Sequence, residues 1–382
     1  MDHIDVTSDY TKELLIMATN ACNLHCRYCY ESNKNAPSMD VQKIEQQIEQ
    51  ELRLRSKPYS KFIINFHGGE PLLAFEKVRT VVEWCDEHLS DFDISYTTTT
   101  NGTILNDEIR DWLVTNKRRF IPILSLDGSK EIHDRNRFGS FDRIDLDFFR
   151  THWPLQGIKM TVSPNTVSDM FDSFLYLYDI GFYPNPSLAK EVDWVLTDHL
   201  PIYAQELKKL ANFYVTHPDI PPGQLLNLPM HKFSEEFQSK GINSCGAGFD
   251  TIAFDIYGNR YPCQTFISDL SKPYNKQEMN HIFASLSQNC HLKISPKCKG
   301  CAILNGCSSC YAINYTCRGD MGAIDTVMCA FNEVTFLCAA QMFAEILPCA
   351  EKYNWLIKSR NDAELYHSIK GVKQLFKNIT NI

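Results

Sequence analysis

The sequence predicts an α/β fold, a partial (β/α)6 barrel of the TIM type followed by a cysteine-rich domain. From about residue 12 to residue 215, short β-rich runs alternate with segments of helical periodicity. Beyond residue 240 this alternation stops, and the segment from Cys245 to Cys349 holds eleven of the fifteen cysteines. Six βα units imply a parallel sheet wrapped by helices, because right-handed crossovers are the rule for parallel strands.

The strands and helices of the barrel are predicted one by one from these runs. The six predicted strands are Leu14–Thr19, Phe62–Phe66, Ile94–Thr99, Phe120–Leu126, Ile158–Ser163 and Val192–Leu196. Between them, residues 41–52 and 75–89 carry apolar side chains at steps of three and four, which is typical of a helix with one buried face. In such folds the functional side chains gather at the carboxyl ends of the strands.

The predicted domain boundaries follow from changes in composition. They are an N-terminal extension at 1–11, the barrel at 12–215, a proline-containing linker at 216–240, the cysteine-rich domain at 241–345 and a helical tail at 346–382. The apolar segment Phe336–Leu347 is interrupted by Gln341 and Glu345, so we expect a core helix there and no membrane span.

Composition and charge exclude several classes of function. The 382 residues with 44% apolar content are enough to bury a large core, and the net charge of −8 argues against general nucleic-acid binding. The first residues lack the basic and apolar segments of a secretory signal, so we expect a cytoplasmic protein. In a reducing compartment, fifteen cysteines favour metal clusters or reactive thiols over disulfides.

Three of these cysteines lie close together after the first predicted strand. Cys22, Cys26 and Cys29 form a C-x3-C-x2-C motif with an aromatic residue, Tyr28, before the last cysteine. Three thiolates at this spacing can hold one iron–sulfur cluster and leave its fourth iron open to a small molecule. Structural zinc usually takes four protein ligands in two pairs, and no fourth cysteine is in register here.

A glycine-rich turn follows the second predicted strand. Gly68 and Gly69 permit close approach of a ligand to the backbone, and Glu70 can receive an ammonium group. A plain strand-to-helix turn, with Pro71 opening the helix, explains the same residues. Asn101 follows the third predicted strand, and Ser125 lies near the end of the fourth. Both are expected at the same edge of the predicted sheet, and both are also compatible with ordinary turn chemistry.

The later cysteines fall in a fixed order. Cys245 is followed by twelve residues, Gly258, four residues and Cys263. A second group reads Cys298-x2-Cys301-x5-Cys307-x2-Cys310, with Cys329 further on. A zinc ribbon built from the two C-x2-C pairs is the simple structural explanation of the second group.

Taken together, the motifs resemble those of the radical S-adenosylmethionine (SAM) superfamily with a SPASM extension, over roughly residues 12–335. The chain resembles the maturases of ribosomally made peptides (RiPPs) and, less closely, anaerobic sulfatase-maturating enzymes. The resemblance implies SAM and three [4Fe–4S] clusters as cofactors, one SAM-binding and two auxiliary. It implies that the first cluster is held by the catalytic cysteines Cys22, Cys26 and Cys29. It assigns the SAM contacts to Tyr28, Gly68, Gly69, Glu70, Asn101 and Ser125.

The same resemblance implies how the later cysteines divide. One auxiliary cluster would use Cys298, Cys301, Cys307 and Cys329, and the other would use Cys245, Cys263 and Cys310. The family usually has three residues between the cysteines matching Cys307 and Cys310, whereas this chain has two. It also lacks the additional cysteine that some members carry in the stretch Gly246–Pro262, so this cluster either has an open iron or takes Cys317 or Cys290 as a ligand.

The function implied by the resemblance is formation of a crosslink, a thioether from a substrate cysteine, in a precursor peptide through a 5′-deoxyadenosyl radical. The alternative is oxidation of a Cys or Ser to formylglycine. Sulfatase maturases have an Asp general base directly after the cysteine matching Cys263, and here Gln264 cannot accept a proton. From another class, a noncatalytic iron–sulfur or zinc scaffold would not cleave SAM.

The expected partners are the precursor peptide and a reductant such as flavodoxin or ferredoxin. Neither nucleic acid nor a membrane is expected. Only about a dozen residues precede the first predicted strand, so leader recognition is assigned to the barrel, the tail or a separate leader-binding protein.

Overall fold

The computed structural model describes residues 11–31, 34, 37–54, 59–235, 245–267, 273–288, 295–307, 309–359 and 362–380. The chain divides into two compact units. The first unit comprises Met1–Ser125, Arg137–Gly157 and Gly246–Gln288, and the second comprises Leu126–Asn136, Ile158–Cys245 and Asn289–Ile382. Each unit is therefore assembled from stretches that are distant in sequence.

Strands and helices alternate through the first half of the described chain. The strands are β1 (Thr11–Thr19), β2 (Lys61–Gly68), β3 (Ile94–Thr100), β4 (Phe120–Leu124), β5 (Gly157–Val162), β6 (Tyr183–Leu188), β7 (Thr251–Phe254) and β8 (Arg260–Tyr261). The helices are α1 (Val41–Arg53), α2 (Phe75–His88), α3 (Asp107–Thr115), α4 (Lys130–Arg137), α5 (Leu146–His152), α6 (Met170–Asp179), α7 (Leu196–Thr216), α8 (Lys276–Gln288), α9 (Tyr311–Arg318), α10 (Thr326–Ile346), α11 (Asn354–Ser359) and α12 (Asp362–Thr380).

The sheet of the first unit has the order β4-β3-β2-β1-β7-β8, parallel except for β8. Strand β1 is central and almost wholly buried, which explains its continuous apolar sequence. On β2, Ile64 and Phe66 are buried, and they alternate with the partly exposed Asn65 and His67 of the opposite face. Helix α1 begins at a cap in which the Asp40 carboxylate accepts from the Lys43 amide.

The predicted α/β class is confirmed. The ends of the first five predicted strands differ from the observed ends by about three residues or fewer. The sixth prediction, Val192–Leu196, is wrong, because the strand is Tyr183–Leu188. Pro184 and Pro186 are two residues apart, so their missing N–H groups lie on one side of β6, and only the other side can donate to a neighbour. In the sheet β5-β6, β6 has that single neighbour. The predicted domain boundaries stay predictions.

Apolar packing in the second unit centres on α10. Its buried side chains include Phe331 and Phe336, and the helix packs against α7 and α12. The Tyr203 hydroxyl of α7 hydrogen-bonds the Thr335 hydroxyl of α10 at 2.6 Å. By length and composition alone, Thr326–Lys352 is apolar enough to cross a membrane, a test that the core helix of a globular protein also passes. The buried residues of the helix fit the core helix predicted around 336–347.

A buried ion pair joins helix α1 to strands β1 and β8 of its own unit. The Lys12 ammonium of β1 lies 2.5 Å from one Glu51 oxygen, and the Arg260 guanidinium of β8 lies 2.5 Å from the other. Lys12 and Glu51 are only 5% and 3% exposed. Removing one partner from such a pair leaves a buried charge without compensation.

We therefore expect Glu51→Ala to lower the free energy of unfolding by about 3 to 5 kcal/mol. The control is Glu49→Ala, which removes an exposed partner of Arg53 on the same helix and should cost about 0.5 kcal/mol or less. Anaerobic urea denaturation followed by circular dichroism measures both. Equal midpoints for the two variants would show that the buried pair does not stabilise the first unit.

Candidate active site

The cysteine triad lies on the loop that leaves β1 at Thr19. Cys22 and Cys26 are half-buried and Cys29 is exposed. The Cys29 amide donates to the Cys26 carbonyl at 3.1 Å, and the Leu24 amide lies 3.4 Å from the Cys22 sulfur. Burial raises the pKa of Cys22, while the Leu24 amide and the Lys34 ammonium act in the opposite direction. Cys29 also raises this pKa, so the two thiols are neighbours. Partly exposed thiols on one loop, with an amide directed at a sulfur, fit an iron–sulfur cluster.

The glycine-rich turn after β2 is bound directly to the start of the triad loop. The Gly69 amide donates to the Thr19 carbonyl at 2.9 Å, and the Glu70 amide donates to the Ala21 carbonyl at 2.8 Å. A Cβ on Gly68 would lie 2.0 Å from the Thr19 oxygen, and one on Gly69 would lie 2.4 Å from the Ala21 oxygen. Both positions therefore require glycine, because the two backbones approach too closely for a side chain.

The Glu70 carboxylate is buried, and it ties the end of β2 to the end of β3. One oxygen accepts from the Leu72 amide (3.1 Å) and the Thr100 hydroxyl (2.8 Å), and the other accepts from the Asn101 amide (2.7 Å). Burial raises the pKa of Glu70, whereas these three hydrogen bonds and the Arg137 guanidinium lower it. A carboxylate can accept about four hydrogen bonds. Capacity for one more donor remains, and the predicted contact with a cofactor ammonium stays a prediction.

A closed ring of side-chain hydrogen bonds joins the triad loop to the end of β3. Asn101 donates to Asn23 at 2.9 Å, Asn23 donates to the Thr103 hydroxyl at 2.8 Å, and that hydroxyl donates to Asn101 at 2.7 Å. The sequence singled out Asn101 but missed Asn23 and Thr103. Asn23 could have been found, since it lies inside the cysteine motif.

Arg137, the last residue of α4, and the following Phe138 contact the triad loop. The Arg137 guanidinium lies 5.4 Å from the centre of the Tyr28 ring, and that of Arg27 lies 4.9 Å from the centre of the Phe138 ring. Phe138 has a φ of 52°, which is uncommon for an aromatic residue. Ser125 is buried at the end of β4, where its amide donates to the Thr100 carbonyl. The Tyr28 ring therefore contributes to the packing between the triad loop and Arg137. Its role in cofactor binding stays a prediction.

The Glu31 carboxyl, the Tyr30 phenol and Cys263 lie near the C-terminal end of the triad loop. Burial raises the pKa of Glu31 to about 7, although the Lys34 ammonium opposes the shift. Tyr30 is 43% exposed, but local desolvation raises the pKa of its phenol, and Glu31, Cys29 and Cys263 raise it further. Cys263 and Cys29 are thus both close to Tyr30 within the first unit. Cys263 directly precedes a 3-10 turn that begins at Gln264.

Four cysteines of the second unit are mutual neighbours: Cys298, Cys301, Cys307 and Cys329. Burial raises the pKa of Cys329 to about 11, and the next causes are the thiols of Cys307, Cys298 and Cys301. Cys301 and Cys298 likewise raise the pKa of Cys307. The Cys301 amide donates to the Cys298 carbonyl at 3.1 Å, and Cys329 lies in the first turn of α10. These four residues are the set that the resemblance assigned to one auxiliary cluster.

The remaining cysteines are distributed as follows. Cys310 is half-buried at the start of α9, and Cys317 is exposed, with its pKa raised by desolvation and by the Glu191 carboxylate. Cys245 is exposed, and Cys290 lies outside the described residues. The predicted set of Cys245, Cys263 and Cys310 stays a prediction. Cys85 and Cys338 are buried in helices.

Among the described residues, no group of three or more His, Cys, Asp or Glu side chains is arranged to hold a single metal ion. A zinc ion needs four ligands around one point, with sulfurs about 2.3 Å from the metal.

Comparisons with known proteins agree with this geometry. The sequence profile of the radical SAM superfamily matches residues 16–145. The cysteine-type anaerobic sulfatase-maturating enzyme of Clostridium perfringens is 25% identical over 353 residues, which cover 80% of this chain and 93% of that protein. An uncharacterized protein of Methanocaldococcus jannaschii is 38% identical over 103 residues, but the match spans only 35% of its length.

Solved structures show the same fold. Native anSMEcpe with bound AdoMet and Kp18Cys peptide has a TM-score of 0.67 at 21% identity, covering 91% of this chain and 99% of that chain. Streptococcus suis SuiB bound to precursor peptide SuiA has a TM-score of 0.56 at 17% identity, covering 84% and 76%. Residues 16–145 therefore carry a radical SAM domain, and the C-terminal cysteine-rich segment is consistent with a SPASM domain. A radical SAM domain implies SAM and a [4Fe–4S] cluster as cofactors.

We expect Gly69→Ala to displace the triad loop, because its new Cβ would meet the backbone oxygens of Asn20 and Ala21 at 2.5 and 2.4 Å. SAM binding, measured by anaerobic equilibrium dialysis, should weaken by about tenfold or more, equivalent to about 1.4 kcal/mol. The control is Gly139→Ala, which places a Cβ in open space at a φ of 71° and so adds only local backbone strain. Unchanged SAM affinity in the Gly69 variant would contradict the proposed fit between the two loops.

Proposed function

We propose that this protein is a radical SAM enzyme that modifies a peptide, and that it forms a thioether crosslink from a substrate cysteine. The connection of the triad loop to the ends of β2 and β3 supports the first part. Peptides bound in the two related structures, the Kp18Cys peptide of anSMEcpe and SuiA of SuiB, support a peptide as substrate. The proposal of a thioether crosslink rests on Gln264, the residue directly after Cys263.

The chain's own residues would hold and orient the cofactors at the strand ends. Cys22, Cys26 and Cys29 would hold the cluster, and the glycine turn would leave bare backbone for the approach of SAM. The cluster and SAM together supply a carbon radical that removes hydrogen from the substrate. Glu70 positions the ends of β2 and β3, and the ring of Asn23, Asn101 and Thr103 keeps the triad loop against β3.

Two auxiliary clusters complete the proposed set of three. Cys298, Cys301, Cys307 and Cys329 would hold one of them, supported by their mutual proximity. Cys245, Cys263 and Cys310 would hold the other. Because that set has three members, we propose the substrate thiolate as its fourth ligand, since sulfur is the usual ligand of such clusters. A small reductant protein such as flavodoxin or ferredoxin would supply the electrons.

Gln264 distinguishes a crosslinking enzyme from a formylglycine-forming one. The resemblance places an Asp base at this position in sulfatase maturases, and an amide cannot take up the proton. The second candidate remains formylglycine formation, which is favoured by the match to 93% of the length of a sulfatase-maturating enzyme.

Anaerobic reconstitution should give about twelve irons per chain if three four-iron clusters are present. Replacing Cys22, Cys26 and Cys29 together by Ala should remove about a third of the iron and abolish SAM cleavage, because the triad cluster is lost. The control Cys338→Ala removes a buried thiol from α10 and should retain all the iron. Elemental analysis and chromatography of the SAM cleavage products measure this. Stoichiometric zinc with little iron would overturn the radical assignment.

The unmodified chain should cleave SAM without converting a sulfatase-type Cys or Ser peptide to formylglycine, because Gln264 supplies no base. Gln264→Asp restores a carboxylate and should give detectable formylglycine, whereas the uncharged control Gln264→Asn should give none. Mass spectrometry of the peptide distinguishes the outcomes. Efficient conversion by the unmodified chain would instead support the sulfatase-maturase function.

A further inference from the structure

A carboxylate lies beside the four neighbouring cysteines of the second unit and has no part in the assignments above. Glu333 follows Cys329 by four residues on α10, so the two side chains lie on the same face of the helix, one turn apart. The helix start is well ordered by its cap, in which the Asp325 carboxylate accepts from the amides of Val327 and Met328 at 2.9 and 3.1 Å. The cap fixes the first turn of α10, which carries Cys329.

Glu333 also lies close to a second cysteine, from a different segment. Its charge raises the pKa of both Cys307 and Cys329, in addition to the effect of burial. Cys307 follows a short 3-10 turn, Leu304–Gly306, rather than belonging to α10. The carboxylate is therefore on the face of α10 that carries Cys329, and it lies near Cys307 as well.

We propose that Glu333 sets the reduction potential of the auxiliary cluster held by Cys298, Cys301, Cys307 and Cys329, a role that rests on the proposed function. Reduction adds one electron, supplied by the reductant protein, and lowers the charge of this site by one. A fixed negative charge beside the thiolates disfavours that added electron. Glu333 therefore favours the oxidised state, in which the site can take up an electron released by substrate oxidation.

The size of the effect depends on solvent. Glu333 is exposed, so mobile ions screen its charge, and the effect on the potential should shrink as ionic strength rises. This salt dependence separates an electrostatic role from a structural one. A structural change would persist at high salt.

The test is a potentiometric titration, monitored by electron paramagnetic resonance, of reconstituted Glu333→Gln. One cluster signal should titrate at a less negative potential than in the unmodified protein, with the other signals unchanged, and Glu333→Lys should shift it further in the same direction. The matched control is Glu345→Gln, an equal charge change at an exposed position three turns along the same helix, which should shift nothing. Full iron content in all variants excludes misfolding.

Two results would overturn the inference, and they have different meanings. If Cys329→Ala removes about four irons but the Glu333 variants titrate like Glu345→Gln, the cluster is present and Glu333 does not tune it. If Cys329→Ala removes no iron, the proposed auxiliary cluster itself fails, and the inference fails with it.

Discussion

The close contact between two backbones, the loop after β1 and the turn after β2, is the constraint on which the site depends. Parallel strands bring their carboxyl ends to one edge, but they do not by themselves hold the loops that follow in register. Here two amide-to-carbonyl hydrogen bonds do so, and two glycines allow the approach. The cysteine loop is therefore anchored at its start, while its sulfurs remain partly exposed for chemistry.

Buried polar groups extend this anchoring to β3. Glu70 is almost fully buried, yet three donors from the chain compensate the cost of removing its carboxylate from water. The ring of Asn23, Asn101 and Thr103 then satisfies its own donors and acceptors. Such closed networks are rigid, because moving any member leaves a buried polar group unpaired. Residues that the sequence suggested as ligand contacts are thus also the supports of the site.

The second unit uses a different principle, since its cysteine segments have few regular elements. Short 3-10 turns position Cys298 and Cys307, and the first turn of a long core helix positions Cys329. Helix α10 is anchored by apolar packing on α7 and α12. This packing holds the first turn of the helix, and with it Cys329, in position. Segments with little apolar core of their own are commonly organised by the metal that they bind. The packed helix provides the rigid part to which these turns are attached.

The sequence alone determined the fold class, five of the six barrel strands and the superfamily, because hydrophobic periodicity and cysteine spacing are local properties. It did not reveal β6, whose alternating prolines look unlike a strand until one edge is known to be unpaired. It also missed the hydrogen bond between Asn23 and Thr103, because a partner about eighty residues away gives no local signal, although Asn23 itself lies inside the cysteine motif. Only the tertiary structure decided that Gly69 must lack a side chain, that Glu70 is held by three protein donors, and that Glu333 faces two cysteines. Each of these depends on which strand ends and helix turns become neighbours after folding.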